Sequence, residues 1–589
     1  MLLPTLKRPQ AGSRDIAKFL GLNRLPGAEE NQFRDMENLW GGDYPLLSTR
    51  PRRGTAAALT APQGILTKDA LLYVDAGKVI YNGAEVTGLT LTPTGDKQIV
   101  SMGAYAVFFP DKKYLNTADL GDYGALEASW AASDTTKVKY ELCRADGSAM
   151  TAKYIQAADP GAASNGDIWI DTSEKPHRLK QYAADSSAWV TVSTVYCKLT
   201  AAGIGAKFKE GDGVELSGAA YAGPEPMKSQ VADLNGTKLL YGCGNDYLIL
   251  VGILDEVYEQ TGGVTVKRET PDMDYVTECG NRIWGCKYGL VGGETRNEIY
   301  ACKLGDFKNW RCYQGISTDS YTASRGADGQ FTGAITYQGH PIFFRERSFE
   351  IVYPDAGGAH QITTNESIGV QAGSWRSLAI AGSTLLYKSP EGVCAYTGSM
   401  PYSVSEALGP MMYRDARAGA LGNRYYLSMQ DAAGAWTMMV YDLSRGVWHK
   451  EDAVKAQGFA ACGGDLFFLR EGDAPALCCA LGTTGTKEGP FRWLAETGLI
   501  GLGDYQRKYV TRLSVRGAVE AGTVIEFYVQ YDSTGEWVYG GELTGSGMGS
   551  FLLPIRPRRC DHARLRFCGK GGARIFSIHE TYEKGSDAG

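Results

Sequence analysis

Two glycine-rich segments have the composition of loops that do chemistry in enzymes. Gly482-Thr-Thr-Gly-Thr-Lys ends in a lysine, but its two glycines are three residues apart, whereas a phosphate-binding P-loop separates them by five. Gly545-Ser-Gly-Met-Gly lacks the order of a nucleophile elbow, in which the serine stands midway between two glycines. The sequence therefore predicts a surface turn at the first segment and a flexible hairpin loop at the second.

Residues that could bind a metal are also scattered. The six histidines, at positions 177, 340, 360, 449, 562 and 579, never form the H-x-x-x-H spacing that places two ligands on one helix face. Asp272-Met-Asp274 has only the start of a calcium loop. Thirteen cysteines without a C-x-x-C pair indicate reduced, mostly buried thiols. We predict no metal, no cofactor and no enzymatic activity, although two glycosidase carboxylates could still come from distant positions.

Two arginine motifs are candidates for contacts with other molecules. Arginine forks suit carboxylate partners at interfaces and also recognise phosphate, so these motifs predict subunit contacts or contacts with DNA at a channel. The alternative is a pair of solvated turns. The candidate residues are Arg50, Arg52, Arg53, Arg556, Arg558 and Arg559.

Three tryptophans are candidates for stacking on a glycan, because an exposed indole presents a flat apolar face to a sugar ring. They are Trp169, Trp189 and Trp537. The alternative interpretation, which we favour, is that these side chains belong to the hydrophobic core.

Composition indicates several packed β domains. The chain has 589 residues, of which 75 are glycine and 34 tyrosine, and the glycines punctuate short runs rich in Val, Ile, Tyr, Phe and Thr. The net charge of −6 lacks the basic excess of a protein that grips nucleic acid, but an acidic surface could line a channel through which DNA passes without sticking.

A hairpin pattern recurs along the chain. Leu71-Leu-Tyr is followed by Gly77 and Tyr81-Asn-Gly, and Leu385-Leu-Tyr is followed by Gly392 and Tyr396-Thr-Gly. Six or seven such units predict a β-propeller, whose radial sheets leave only short edges. The alternative is a string of separate β-sandwiches.

The predicted fold is all-β: a β-propeller with an inserted small β domain and a C-terminal β-sandwich or jelly roll. Alternating apolar residues in Ile525-Glu-Phe-Tyr-Val-Gln-Tyr and His562-Ala-Arg-Leu-Arg-Phe predict half-buried antiparallel strands in the last domain. Ser13–Leu20 could form one or two helical turns within the first segment. The expected boundaries are an N-terminal extended arm at 1–54, first blades at 55–119, the insertion at 120–225, remaining blades at 226–489 and the sandwich at 490–589.

Three segments resemble structural tail proteins of tailed bacteriophages, namely the propeller-bearing tail nozzle or tail tubular protein B class. They are the arm from Phe33-Arg-Asp-Met-Glu-Asn-Leu to Tyr44-Pro-Leu-Leu-Ser-Thr-Arg-Pro, the blades from Gly339-His-Pro-Ile-Phe-Phe to Gly392-Val-Cys-Ala-Tyr-Thr-Gly, and the end from Phe491-Arg-Trp to Pro554-Ile-Arg-Pro-Arg-Arg. Gly166-Asp-Ile-Trp-Ile-Asp-Thr is similar to a small module of phage tail proteins. The insertion departs from the simplest nozzle layout, which leaves open a nozzle, a hub or a tail-tip position.

The resemblance implies a homohexameric ring in the tail of a virion, below the portal or adaptor, forming part of the DNA-ejection channel. It implies contacts with other tail or adaptor proteins, tail fibres and genomic DNA in transit, without sequence-specific binding. We expect synthesis in the host cytoplasm and no membrane span. The alternatives are a receptor- or glycan-binding tail-tip protein and a polysaccharide-degrading propeller enzyme.

Overall fold

The computed structural model describes residues 11–327, 329–410, 412–501, 506–556 and 558–584. Almost all regular structure in these ranges is antiparallel β-sheet, which confirms the predicted all-β fold class. No helix in the described part of the chain has the length and apolar character needed to cross a bilayer.

The N-terminal segment is extended, as expected, but it forms short strands, and β1 lies where Ser13–Leu20 was predicted to form helical turns. Its first four strands join the sheet of the C-terminal domain, and the fifth joins the propeller. Their bounds are β1 Ala11–Ile16, β2 Phe33–Glu37, β3 Leu39–Trp40, β4 Leu47–Thr49 and β5 Gly54–Ala58, with a 3-10 turn at Gly41–Asp43.

Two blades follow, and in each the innermost strand comes first. Blade 1 contains β6 Pro62–Lys68, β7 Ala70–Asp75, β8 Lys78–Tyr81 and β9 Ala84–Thr90. Blade 2 contains β10 Gln98–Met102, β11 Tyr105–Phe109, β12 Lys113–Asn116 and β13 Tyr123–Ala125. The tight turns suit the local residues: Ala76 and Gly77 both have positive φ, which matches the twist of a two-residue hairpin.

An inserted domain then interrupts the propeller. Its strands are β14 Ala128–Ala131, β15 Lys137–Cys143, β16 Tyr154–Gln156, β17 Ile168–Asp171, β18 Arg178–Ala183, β19 Ala188–Thr191, β20 Tyr196–Thr200, β21 Gly213–Ser217, β22 Gly236–Leu239, β23 Gly242–Gly244, β24 Tyr247–Val251, β25 Tyr258–Thr261 and β26 Thr265–Arg268, with helix α1 at Met227–Ala232. They form three sheets, and one apolar core joins all three to α1.

The boundaries of the insertion differ from those predicted at 120 and 225. Blade 2 needs β13 as its fourth strand, so the insertion begins after Ala125. At the other end, β26 pairs with β14 and β21, which carries the insertion to Arg268. The prediction placed this end too early, because the last strands of the insertion have the same composition as the blades.

Five more blades complete the propeller. Their strands are β27 Tyr275–Glu278, β28 Ile283–Val291, β29 Glu294–Ala301 and β30 Tyr321–Ser324; β31 Gly333–Tyr337, β32 His340–Phe344, β33 Phe349–Tyr353 and β34 Gln361–Asn365; β35 Ala379–Ala381, β36 Thr384–Lys388, β37 Val393–Tyr396 and β38 Tyr402–Ser403; β39 Arg414–Leu421, β40 Arg424–Gln430, β41 Trp436–Asp442 and β42 Val447–Lys450; and β43 Ala456–Cys462, β44 Asp465–Arg470, β45 Ala476–Cys479 and β46 Thr486–Lys487. Short 3-10 turns lie at Trp375–Ser377 and Glu406–Leu408.

The described residues thus form seven blades, and the ring is closed by strand exchange. Strand β5, from the start of the chain, pairs with β45 and completes the seventh blade. The innermost strand of that blade, β43, then packs against β6 of blade 1. A sheet that combines both ends of the propeller sequence resists opening, because separating the first and last blades would break its ladder.

Gly54 gives a direct test of this closure. A β-carbon at Gly54 would lie 1.9 Å from the carbonyl oxygen of Thr484 and 2.7 Å from the Cys479 sulfur. Gly54→Ala should therefore destabilise the protein by about 1–3 kcal/mol, as overpacking does. Thermal unfolding measures this loss. Gly489→Ala is the control, since nothing lies within 4 Å of its β-carbon position; equal melting temperatures for the two variants would contradict the prediction.

The C-terminal domain, called the sandwich below, is built on one continuous sheet of ten strands that includes β1–β4. Its strands are β47 Arg492–Thr497, β48 Lys508–Tyr531, β49 Val538–Leu553, β50 Arg559–Cys560, β51 Ala563–Lys570 and β52 Ala573–Lys584. The first half of β48 pairs with β52 and the second half with β51, while β49 follows it along both halves. The domain shares one apolar core with β1–β4 and the fifth and sixth blades.

The alternation read from the sequence is confirmed at most positions of this sandwich. Ile525, Phe527, Val529 and Tyr531 are buried, as are alternate residues of β51 from Ala563. Gln530, which was expected to face away, is buried as well.

Candidate functional site

The first arginine motif lies at the junction of propeller and sandwich. Arg53 Nη2 is 2.5 Å from Glu451 Oε2, and Arg53 Nη1 is 2.7 Å from Asp452 Oδ2. Arg50 forms ion pairs with Glu488 and with Asp452, the latter at 3.3 Å. Two buried arginines therefore share one carboxylate of the propeller.

Charge pairing at this junction outweighs the cost of burial. Burial by itself would raise the pKa of Asp452, but Arg53 and then Arg50 hold this pKa below its ordinary value. Burial would likewise lower the pKa of Arg53, yet Asp452 and Glu451 raise it above its ordinary value. Both residues are consequently charged when the protein is folded at neutral pH.

This arrangement corrects the expectation of subunit or DNA contacts at Arg50 and Arg53. Their exposed fractions are only 4% and 6%, so neither guanidinium can reach another molecule while the junction is intact. The two residues join domains within one chain instead. Local sequence could not show this, because the carboxylate partners lie about 400 positions away.

The other predicted arginines lie nearer the surface. Arg52 is partly exposed and pairs with the exposed Glu520 at 2.8 Å, on the wall of an open groove between propeller and sandwich. Arg556 and Arg558 are exposed beyond the end of β49, with Arg558 5.7 Å from the centre of the Tyr531 ring, and Arg559 is half-buried in β50. Contacts with a subunit or with DNA at these four positions stay a prediction.

The tryptophans differ in their access to solvent. Trp169 is 3% exposed, and its indole N–H donates to the carbonyl of Gln156 at 2.8 Å. A glycan cannot stack on it, so the glycan hypothesis is wrong there and the core interpretation is confirmed. Trp189 and Trp537 are half-buried, and the Arg566 guanidinium lies 3.9 Å from the Trp537 ring centre. Glycan contact at these two stays a prediction.

An ion pair links two parts of the propeller that are far apart in the sequence. Asp96, on the loop between blades 1 and 2, lies 2.6 Å from Arg376, which precedes blade 5. Gln457 of blade 7 donates to the same carboxylate at 3.3 Å. Blades 7 and 1 are neighbours, but blade 5 adjoins neither blade 1 nor blade 2, so the contact between Asp96 and Arg376 joins parts of the ring that are not adjacent.

His449 makes the stability of the junction dependent on pH. It is buried beneath Gly41, and burial lowers its pKa to about 4; Asp442 opposes the shift, while Arg424 and Arg445 add to it. The unfolded chain takes up this proton below about pH 6.5, so His449 costs no stability above that pH and lowers it as pH falls toward about 4. We expect a loss of up to ~1.4 kcal/mol per pH unit in this window.

The measurement is the free energy of unfolding of wild type and His449→Gln across pH 7.5 to 4.5, a range of about three units chosen around the ordinary histidine value. His449→Gln should remove the histidine part of the slope, while His579→Gln, on β52, should retain it. Parallel profiles for wild type and His449→Gln would show that the prediction is wrong.

Strand β49 lies at an exposed edge of the sandwich. Strand β49 has sixteen residues and pairs with β48 on one side only, in the part of the chain that the structure describes. Met548 is 71% exposed, Leu552 59% and Tyr539 56%. The expected flexible loop at Gly545-Ser-Gly-Met-Gly is part of this strand, which corrects that interpretation. The glycines of this segment do not predict a strand from sequence, because glycine has little preference for the extended conformation. Pairing with β48 holds the segment extended.

No known protein family and no curated protein matches the sequence. Among solved structures, the chain is similar to U3-55K, with 7% identity, a TM-score of 0.29 and coverage of 73% of this chain and 97% of that one. It is also similar to PorZ, a bacterial surface component of the type-IX secretion system of Porphyromonas gingivalis, with 12% identity, a TM-score of 0.25 and coverage of 84% and 71%. A third similarity is to the RRP9 WD40 repeats, with 7% identity, a TM-score of 0.24 and coverage of 60% and 99%.

Proposed function

We propose that the protein is a structural subunit of a bacteriophage tail that assembles into a homohexameric ring around the DNA-ejection channel. The observation that carries the proposal is the uncovered edge of β49. The resemblance of the arm, blades and C-terminal segment to tail nozzle proteins supports the tail location.

An uncovered strand edge of this kind favours oligomerisation over a monomeric state. Its outward backbone N–H and C=O groups form a template for another strand, and monomeric proteins normally guard such edges with lysine, proline or a covering loop. Strand β49 has one acidic residue, Glu542, and neither lysine nor proline. Its exposed Met548 and Leu552 would add apolar contact area to a subunit interface.

The connections between propeller and sandwich suit a ring subunit. The strand exchange at β5 and the buried arginines at the junction hold propeller and sandwich together, so a contact made by one domain positions the other. Because Asp96 and Arg376 form an ion pair between non-adjacent parts of the propeller, we place the DNA path at the centre of the ring of subunits and not within each propeller. The net charge of −6 would let DNA slide past without tight binding. Adaptor proteins and tail fibres are the neighbours above and below.

The test is the state of the purified full chain in solution. Light scattering after size exclusion should give about six times the chain mass of 63.6 kDa, and negative-stain images should show six-fold rings. Antibodies against the chain should label tails of phage particles from a producing strain. A strictly monomeric protein that is absent from particles would overturn the proposal.

A further inference from the structure

Two turns meet at one tip of the sandwich. One follows β48 and contains Asp532 and Ser533, and the other precedes β51 and contains Asp561 and His562. Asp532 N–H donates to the carbonyl of His562 at 3.1 Å, and Asp561 N–H donates to the Asp532 carboxylate at 2.8 Å. These bonds hold the turns in fixed register, so their side chains have a defined geometry.

Ser533, His562 and Asp561 form a continuous chain of hydrogen bonds. Ser533 Oγ lies 2.7 Å from His562 Nε2, and His562 Nδ1 contacts the Asp561 carboxylate. Ser533 is exposed, with a left-handed φ of 52°, while the imidazole is largely shielded, its side chain being 13% exposed. A hydroxyl on one imidazole nitrogen and a carboxylate on the other is the arrangement that activates a serine nucleophile.

We propose that Ser533 is an activated nucleophile that accepts acyl groups from esters. His562 Nε2 takes the proton of Ser533 Oγ as the oxygen bonds to the ester carbonyl carbon. The carbon–oxygen bond to the leaving group then breaks, and that alkoxide takes the proton from His562. Water attacks the acyl-serine by the same route, so one ester and one water become one acid and one alcohol. Asp561 is a positioning residue that orients the imidazole.

The position of Ser533 indicates which esters can reach it. Ser533 stands on an exposed turn, where it can meet an ester on a large molecule such as an acylated surface polymer. This activity is separate from ring assembly, which involves the uncovered backbone edge and the exposed side chains of β49, and either proposal can fail without the other.

A divalent cation is the competing interpretation of these residues. Ligand atoms of Asp532, Asp561 and His562 converge within 4.8 Å of one another. Both ring nitrogens of His562 are already hydrogen-bonded, so a metal would have to displace Ser533 or Asp561 from the imidazole. The observed geometry therefore favours the serine nucleophile.

The experiment treats the full-length protein with a fluorophosphonate probe and with p-nitrophenyl acetate. We expect a covalent adduct on Ser533 by peptide mass spectrometry, and none in Ser533→Ala. His562→Ala should lower the labelling rate by at least ~100-fold, the usual contribution of a general base, and free imidazole should restore part of it. Asp561→Asn should lower the rate, whereas Asp561→Glu should retain part of it.

Ser187→Ala is the matched control, because Ser187 is also an exposed turn serine with left-handed φ, and it lies far from His562 in sequence. Labelling should be unchanged in this variant. Equal labelling of wild type and Ser533→Ala, or no adduct at all, would overturn the proposal. Activity that disappears with EDTA and returns with Zn²⁺ would also overturn it, in favour of a metal site.

Discussion

Arg53→Ala is expected to lower the free energy of unfolding by about 3–5 kcal/mol, the usual cost of removing one partner of a buried ion pair. Arg53 contacts both Glu451 and Asp452, so its loss leaves two carboxylates without their principal cation in a shielded junction. Urea unfolding followed by tryptophan fluorescence measures the change. The control is Arg52→Ala, one position away, whose exposed ion pair should contribute less than about 1 kcal/mol.

A compensating variant separates lost packing from unpaired charge. If the cost is electrostatic, Arg53→Met combined with Glu451→Leu should recover part of the stability that Arg53→Met loses, while Asp452 keeps its ion pair with Arg50. A loss below about 1 kcal/mol for Arg53→Ala would mean that the junction does not depend on this charge.

Met548→Lys combined with Leu552→Lys is expected to convert the assembled ring into monomers. Two charges on an exposed edge strand oppose the desolvation that strand addition requires, as the lysines on natural edge strands do. Both side chains point into solvent within one chain, so the melting temperature of the monomer should stay within a few degrees, the change for less than ~1 kcal/mol. Light scattering across a concentration series measures the assembly.

Leu290→Lys is the matched control for this variant, because Leu290 is 75% exposed and lies on β28 of blade 3. It should leave the ring intact. Rings that persist in the double variant would show that β49 is not the subunit contact, and rings lost in Leu290→Lys would place the interface on the propeller.

Ser533 lies close in sequence to the strand that we propose as the subunit contact. Ser533 lies in the turn that leads into β49, so a ring built on that edge would display one serine from each subunit around its circumference. Labelling intact rings and the dissociated double variant would show whether assembly exposes or covers the turn.

Local patterns determined the fold class of this protein and the inward faces of many strands. Glycine-punctuated hairpins such as Leu71–Gly83 indicate blades because turn conformation depends on adjacent residues alone. Alternation at Ile525, Phe527 and Val529 predicts one buried face because side chains of a strand point to opposite sides. The helical turns predicted at Ser13–Leu20 were wrong, because β1 has little alternation of its own and is extended by pairing with β52.

Only the tertiary structure decided which polar residues meet. Arg50 and Arg53 have the same sequence signature as the exposed Arg556 and Arg558, yet folding buries the first pair against carboxylates about 400 residues away. Asp96 meets Arg376 because the ring brings non-adjacent loops together. Ser533 and His562 are 29 residues apart and meet because β48 and β51 are neighbours. Periodicity along a chain reports burial and turns, whereas side-chain chemistry between distant strands depends on their pairing and register.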